Sequence, residues 1–177
     1  MFPTPHLLAV EAEDLHGDRH YQGMKHWVEY LQTRTDDKGL VVRAEPNGWC
    51  LGEWSTPHNR IEIPASLVNT AYFYHVTCIM ADVAGILNKK DDEHHLCTLA
   101  ETIRKNFNAA FYNEETHHYG EGKQGADVFA LAFGLVPEGK REKVFAALLG
   151  HLEKVNYHFD TGILTTPLLL QVLTENG

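Results

Sequence analysis

Residues 64–92, PASLVNTAYFYHVTCIMADVAGILNKKDD, carry the clearest helical pattern in this chain. Proline suits the first turn of a helix, because the N–H that it lacks would be unpaired there. One apolar stripe then follows at a spacing of three or four residues: Val68, Tyr72, Val76, Ile79, Val83 and Leu87. Lysines at 89 and 90 suit a helix C-terminus, and Asp91 or Asp92 is expected to cap the helix that follows.

Apolar residues at helical spacing predict further helices on both sides of this stretch. Upstream, Ala9 to Arg34 is expected to form one or two helices, followed by a turn at 36–39 and a short extended piece at 40–42. Downstream, helices are predicted near 96–111, 124–136 and 144–155, and from just after Thr166 to the end of the sequence. The chain is therefore predicted to be nearly all α. Its strand content should lie well below the roughly 20–25% that is usual in globular proteins.

The connections between the predicted helices alternate in length. Those at 89–91 and at Pro137 are short, whereas those at 45–63, 113–123 and 156–164 are long. Helices joined by short turns run antiparallel, so every second connection lies at the same end of the array. The three long loops are therefore expected to share one end, and function concentrates on loops that a rigid scaffold presents.

Composition and charge exclude several classes of protein. The formal net charge of -9 argues against broad attraction to nucleic acid or to an anionic membrane. No apolar run approaches the roughly 20 residues of a membrane helix, and residues 1–10 lack the basic region of a signal peptide. The three cysteines match no zinc spacing, and Cys78 and Cys97, in apolar helical contexts, are expected to be buried. We expect no cofactor, no nucleic-acid partner and no membrane partner, and the compartment stays open.

The long loops combine aromatic rings with acids. Trp49 and Trp54 flank Glu53 in the first loop, and the second and third loops contain Tyr119 and Asp160. Tryptophan offers a flat face to the C–H groups of a sugar, and a carboxylate accepts hydrogen bonds from its hydroxyls. We predict that these five residues bind substrate. The alternative is that the tryptophans anchor the loop to the core and that Glu53 is solvated.

The residues support catalysis or metal binding less strongly than they support sugar binding. A glycosidase needs two carboxylates across a cleft, and the loop acids placed for that role are Glu53, Glu121 and Asp160. His16 and His20 share a helical face, but the glutamate of the zinc motif His-Glu-x-x-His is missing. These histidines, and the pairs at 94–95 and 117–118, are interpreted as solvated or capping.

Several segments resemble, in order along the chain, the catalytic barrel of bacterial α-L-rhamnosidases. Residues 51–54, Leu-Gly-Glu-Trp, are similar to the Gly-Asp-Trp loop of that family, and residues 68–74 are similar to the helix that follows it. The similarity extends to residues 17–31, 133–137 and 160–177. The ordered set covers nearly the whole chain, which makes it more specific than any single piece.

The resemblance implies a fold and an activity. The fold is a set of antiparallel helical hairpins in an (α/α)6 toroid, of which residues 1–177 would form one partial catalytic-barrel domain, roughly half of the ring. The activity is hydrolysis of terminal α-L-rhamnose with inversion. By the same resemblance, the general acid lies upstream of Gly17 and the general base lies downstream of Gly177. No residue of this chain is therefore assigned as catalytic, and the chain alone is expected to be inactive, with Trp54 packing on the sugar.

The chain departs from the family pattern at two positions. Glu53 stands where the family usually has aspartate, and it is longer by one methylene. Thr165 stands where the family usually has glycine, a position that can require a backbone conformation that threonine disfavours. Both departures point to altered substrate preference or activity.

Two other functions and one partner follow from the same observations. A different glycosidase or a polysaccharide lyase would use the same scaffold, because fold does not determine function. A non-enzymatic helical carbohydrate-binding module is the second alternative. A half ring would also expose the apolar faces of its inner helices, so we expect a dimer or tight packing through them.

Overall fold

The computed structural model describes residues 17–44, 52–57 and 63–176. These residues contain six helices: α1 Gly17–Thr33, α2 Ala65–Ile86, α3 Lys90–Phe111, α4 Gln124–Ala132, α5 Arg141–Lys154 and α6 Thr165–Glu175. Extended pairing within them is limited to two isolated antiparallel bridges, Thr35 with Val41 and Tyr112 with Tyr119. The prediction of an all-α fold is confirmed. None of the helices in the described ranges combines the length and apolar character that a bilayer crossing needs.

The helices alternate between a central row and an outer position. In the central row α4 packs against both α2 and α6, while α1 and α3 pack against α2 and α5 packs against α4. Charge follows the same alternation: Asp82 is the only Asp, Glu, Lys or Arg in α2, Asp127 the only one in α4 and Glu175 the only one in α6. The outer helices each carry several charges. Helices that are apolar on most sides are typical of buried positions.

The apolar core has two parts that meet along α2. One part surrounds α4 and includes Phe129, Leu148 and Leu169, all fully buried. The other lies between α1, α2 and α3 and includes Phe73 and Ile103. Of the central row, α4 is buried along nearly its whole length, whereas α2 and α6 bury the faces that pack against the core.

Each of the three long connections leads into the N-terminus of a central helix. We call them loop A (residues 34–64, before α2), loop B (112–123, before α4) and loop C (155–164, before α6). The amide of Ile163 in loop C donates to the carbonyl oxygen of Trp54 in loop A at 2.9 Å. The side chain of Gln124, at the start of α4, donates to the carbonyl of His158 in loop C at 2.9 Å. The expectation that the long loops share one end is confirmed.

One capping prediction is wrong. α3 begins at Lys90 after Lys89 at the N-cap, which makes no side-chain cap hydrogen bond, so Asp91 and Asp92 lie within the first turn. The Asp92 carboxylate accepts hydrogen bonds from the Tyr21 hydroxyl and the Lys25 ammonium, both at 2.7 Å. Asp92 thus links α1 to α3 and still benefits from the positive end of the helix dipole.

Helix boundaries differ from the predictions at two further places. α4 ends at Ala132 rather than Val136, because Gly134 turns the chain with a φ of 73° that side-chain-bearing residues rarely adopt. α6 begins at Thr165, slightly earlier than predicted. Residues 9–16 of the predicted first helix lie outside the described residues.

Candidate functional site

Glu53 lies in the interior at the junction of loops A and C. Its side chain is 1% exposed. One carboxylate oxygen, Oε1, accepts a hydrogen bond from the amide of Leu164 at 2.8 Å, and Oε2 accepts one from the hydroxyl of Thr165 at 2.6 Å. Both donors stand at the N-terminus of α6, where the helix dipole favours a negative charge. Glu53 therefore holds loop A against α6, and its position leaves no surface for a ligand.

The carboxylate also influences a neighbouring phenol. Burial, followed by the negative charge of Glu53, raises the pKa of Tyr72 on α2. A buried anion penalises a second negative charge nearby. Tyr72 therefore stays protonated beside the Glu53 carboxylate.

Gly162 permits the close approach of the two loops. A Cβ at this position would collide with the carbonyl oxygen of Trp54 and with the carboxylate of Glu53. Absence of a side chain lets backbone approach backbone at such points. The adjacent hydrogen bond from Ile163 to Trp54 completes the junction, so the backbone of Trp54 is held at its carbonyl oxygen.

Trp54 presents its indole at the surface although its backbone is anchored. The side chain is 53% exposed, and that of Ile163 beside it is 64% exposed. Exposed aromatic rings whose position is fixed by the surrounding backbone suit the apolar face of a sugar. The structure thus places Trp54, which the sequence predicts to bind substrate, at the surface, whereas Trp49 lies outside the described residues.

Asp160 lies on loop C between two polar neighbours. Its amide donates to the side-chain oxygen of Gln124 at 3.1 Å. Its carboxylate oxygen Oδ2 lies 3.7 Å from Nε2 of His151, and both side chains are about a quarter exposed. The other nitrogen of His151, Nδ1, donates to the carbonyl of Gly122 at 2.8 Å, because a carbonyl only accepts. Asp160 is thus placed at the surface beside residues of α4 and α5.

Tyr119 corrects one of the predictions. It is fully buried, and its hydroxyl donates to the side-chain oxygen of Asn108 at 2.6 Å. Its ring packs among Phe107 and Tyr112. A side chain without accessible surface cannot contact a sugar, and neighbouring domains could only cover it further. The ring of Tyr119, which suggested sugar binding in the sequence, packs in the core instead.

His118 forms a hydrogen bond that the sequence interpretation of solvated or capping histidines did not anticipate. Its Nδ1 lies 2.6 Å from Oδ2 of Asp127, and the other oxygen of Asp127 accepts from the Tyr119 amide at 2.7 Å. Asp127 is fully buried on α4. This hydrogen bond raises the pKa of His118. The sequence signal for this link was the lone charged residue in the otherwise uncharged helix α4.

The three loop acids that the sequence offers for catalysis differ in their exposure to solvent. Glu53 is buried with both oxygens occupied, Asp160 is partly exposed, and Glu121 is exposed on loop B. Glu53 bonds to Leu164 at the end of loop C, whereas Asp160, earlier in loop C, contacts Gln124 and His151. Within the described ranges, no group of three His, Cys, Asp or Glu residues is arranged to hold a metal ion.

The expectation that position 165 requires a backbone conformation that threonine disfavours is wrong. It is the first residue of α6, and it does not adopt a positive φ. Instead its hydroxyl is the partner of Glu53. The two positions at which the chain departs from the family pattern therefore contact each other.

Paired helical hairpins with long loops gathered at one end are the architecture of the six-hairpin glycosidases. Residues 13–177 match the bacterial α-L-rhamnosidase six-hairpin glycosidase domain, and the chain belongs to this family. The resemblance seen in the sequence is confirmed.

Relatives of this family resemble the chain in sequence and in structure. The chain is 30% identical over 165 residues to an α-L-rhamnosidase of Formosa agariphila, a match covering 90% of the chain and 17% of that relative. The solved α-L-rhamnosidase of Dictyoglumus thermophilum superposes with a TM-score of 0.79 at 30% identity, covering 90% of this chain and 18% of that one. The Streptomyces avermitilis α-L-rhamnosidase complexed with L-rhamnose gives a TM-score of 0.77 at 29% identity, covering 98% and 15%. The chain thus spans less than a fifth of these relatives.

The link between His118 and Asp127 predicts a pH-dependent contribution to stability. The raised pKa of His118 means that its stabilisation is fully present below the unfolded value of about 6.5 and declines as pH rises through the folded value. Replacing His118→Gln should therefore lower the free energy of unfolding more at about pH 5.5 than at about pH 8.5, by on the order of 1 kcal/mol. Urea unfolding at both pH values measures this difference.

The matched control is His95→Gln, which removes an exposed histidine on α3. We expect its effect on stability to be small and nearly the same at both pH values. An equal loss for His118→Gln at both pH values would contradict the assignment of a charged His118 to this bond.

Proposed function

We propose that this chain forms part of the sugar-binding end of an α-L-rhamnosidase-like glycoside hydrolase, which hydrolyses terminal α-L-rhamnose with inversion. Residues 1–177 would make up one partial barrel domain. The observation that carries the proposal is the exposed indole of Trp54, anchored where the N-termini of α2, α4 and α6 meet. Support for a rhamnose-containing ligand comes from the Streptomyces avermitilis relative, whose structure was solved with L-rhamnose.

The proposed sugar contacts are Trp54 and Asp160, together with Trp49 from the part of loop A outside the described residues. The indole of Trp54 offers an apolar face, and the Asp160 carboxylate accepts hydrogen bonds from hydroxyl groups. Glu53 and Tyr119 are left out of the contact set because both are buried.

Catalysis is proposed to need residues from other parts of a longer protein. An inverting glycosidase places its two carboxyl groups about 6.5–9.5 Å apart with water between them. Glu53 cannot serve, since protein donors occupy both of its oxygens. We therefore propose that this chain binds and orients the sugar and that neither working carboxylate belongs to it.

Hydrolysis of p-nitrophenyl α-L-rhamnoside tests this division of roles. We expect no hydrolysis by the 177-residue chain and clear hydrolysis by a form of the protein extended at both ends, because only the longer form would contain both carboxylates. Hydrolysis by the short chain alone would overturn the proposal and direct attention to Glu121 and Asp160. No hydrolysis by either form would favour another glycosidase, a polysaccharide lyase or a binding module.

Two tryptophans of equal exposure provide a matched comparison for the sugar-binding role. Trp54 is 53% exposed at the loop end, and Trp27 is 54% exposed on α1. Trp54→Ala should weaken L-rhamnose binding by about tenfold, equivalent to about 1.4 kcal/mol, whereas Trp27→Ala should leave it unchanged. Isothermal titration measures both variants, and equal effects would contradict the placement of the sugar on Trp54.

The proposed partner, a second copy of the chain, is supported by apolar side chains at the edges of the helix row. Met24 and Trp27 on α1 are exposed and line a groove of about 400 Å3 together with Ile79 of α2. Leu170 on α6, at the other edge, is 52% exposed. The inner helices α2 and α4 are themselves well covered, so the exposed apolar side chains named here lie at the edges of the helix row rather than on the inner helices.

Sedimentation velocity tests this self-association. We expect the wild-type chain to form a dimer and Trp27→Lys to shift it toward monomer, because a charge in the groove is costly to bury. His26→Lys adds the same charge at a neighbouring exposed position of α1 and serves as the control. A wild-type chain that stays monomeric would contradict the half-barrel interpretation of its surface.

A further inference from the structure

The carboxylate of Glu53 connects residues that are far apart in the sequence. Its two hydrogen bonds reach Leu164 and Thr165, 111 and 112 residues away. Among the described residues its charge is met by donors at a helix N-terminus rather than by a Lys or Arg. Hydrogen bonds to an ionised group are stronger than neutral ones, and a buried carboxylate is costly if its partners are lost. The position of the described segment 52–57 of loop A thus depends strongly on these two donors.

Thr165 is held in place from the opposite side. It is fully buried, and a Cβ on Gly125 of α4 would lie 3.0 Å from its hydroxyl oxygen and 3.3 Å from its methyl carbon. The start of α4 therefore packs directly on Thr165 and limits its rotamer. The hydroxyl points to Glu53 because the surrounding packing fixes it there, and α4, α6 and loop A meet at this residue.

The junction sets the position of Trp54 without touching its ring. The carbonyl oxygen of Trp54 accepts from Ile163, next to Leu164, whose amide donates to Glu53. Loss of the Glu53 hydrogen bonds would therefore release the backbone on the N-terminal side of the exposed indole. A surface that is already arranged before a ligand arrives binds more tightly, because ordering costs are lower.

We propose that Glu53 and Thr165 form a positioning pair that holds loop A on the N-terminus of α6 and keeps the Trp54 indole ready for a sugar. Neither residue touches the ligand. The hydroxyl of Thr165 determines sugar affinity through Glu53 and the backbone of loop A. The sugar-related part of this inference rests on the proposed function, whereas the loop-positioning part stands on the contacts alone.

The test compares Thr165→Val with Thr165→Ser in the 177-residue chain. Valine keeps the branched shape and removes the hydroxyl, whereas serine keeps the hydroxyl and removes the methyl. Thr174→Val, at the other end of α6, is the matched control, since its hydroxyl bonds only within the helix. Two quantities are measured well below the melting temperature: the hydrogen-exchange rate of the Leu164 amide and the Kd for L-rhamnose.

We expect Thr165→Val to raise both the exchange rate and the Kd about tenfold, and Thr165→Ser and Thr174→Val to stay within about twofold of wild type. In a Glu53→Gln background the effect of Thr165→Val should shrink to about twofold, because the carboxylate that needs the hydroxyl is already gone. Rescue by serine separates positioning from general loss of packing.

Each other outcome has a defined meaning. Unchanged exchange and unchanged Kd in Thr165→Val would overturn the positioning pair. Faster exchange with unchanged Kd would overturn its link to the sugar. If the wild-type chain does not bind L-rhamnose, the proposed sugar function fails, and the exchange rates alone decide whether the pair holds loop A.

Discussion

A buried carboxylate at a helix N-terminus organises the functional end of this protein. Glu53 accepts hydrogen bonds from Leu164 and Thr165, and through them loop A is held on α6. The arrangement works because a carboxylate suits the positive end of a helix dipole and because Gly162 lets the loops approach closely. Trp54 is exposed yet anchored as a direct result. Glu53, which the sequence predicts to bind substrate, thus forms hydrogen bonds within the protein instead.

Most of the fold could be predicted from the sequence, because its causes are local. The stripe from Val68 to Leu87 predicts α2, and the alternation of short and long connections places the three loops at one end. Boundaries were less predictable where a tertiary contact competes with local preference. Asp92 bonds to Tyr21 and Lys25 of α1 instead of capping α3, and no local pattern in the sequence shows that choice.

The site was only partly predictable, because its key contacts join distant residues. The sequence pointed to Trp54 and Asp160 in the loops, and both are accessible in the structure. It could not show that Glu53 and Tyr119 turn inward, since both belong to loop segments with polar neighbours and glycines. The partnership of Glu53 with Thr165 spans 112 residues. Resemblance to the family marked both positions as unusual, and only the fold shows that they are one contact.

A crystal structure of the chain with L-rhamnose bound would test the central claim most directly, namely that Glu53 positions the sugar-binding surface from inside the protein. We expect the sugar over the exposed face of Trp54, with the Glu53 oxygens still accepting from Leu164 and Thr165. A Glu53 carboxylate turned outward and bonded to a sugar hydroxyl would contradict the account, as would a sugar bound away from Trp54.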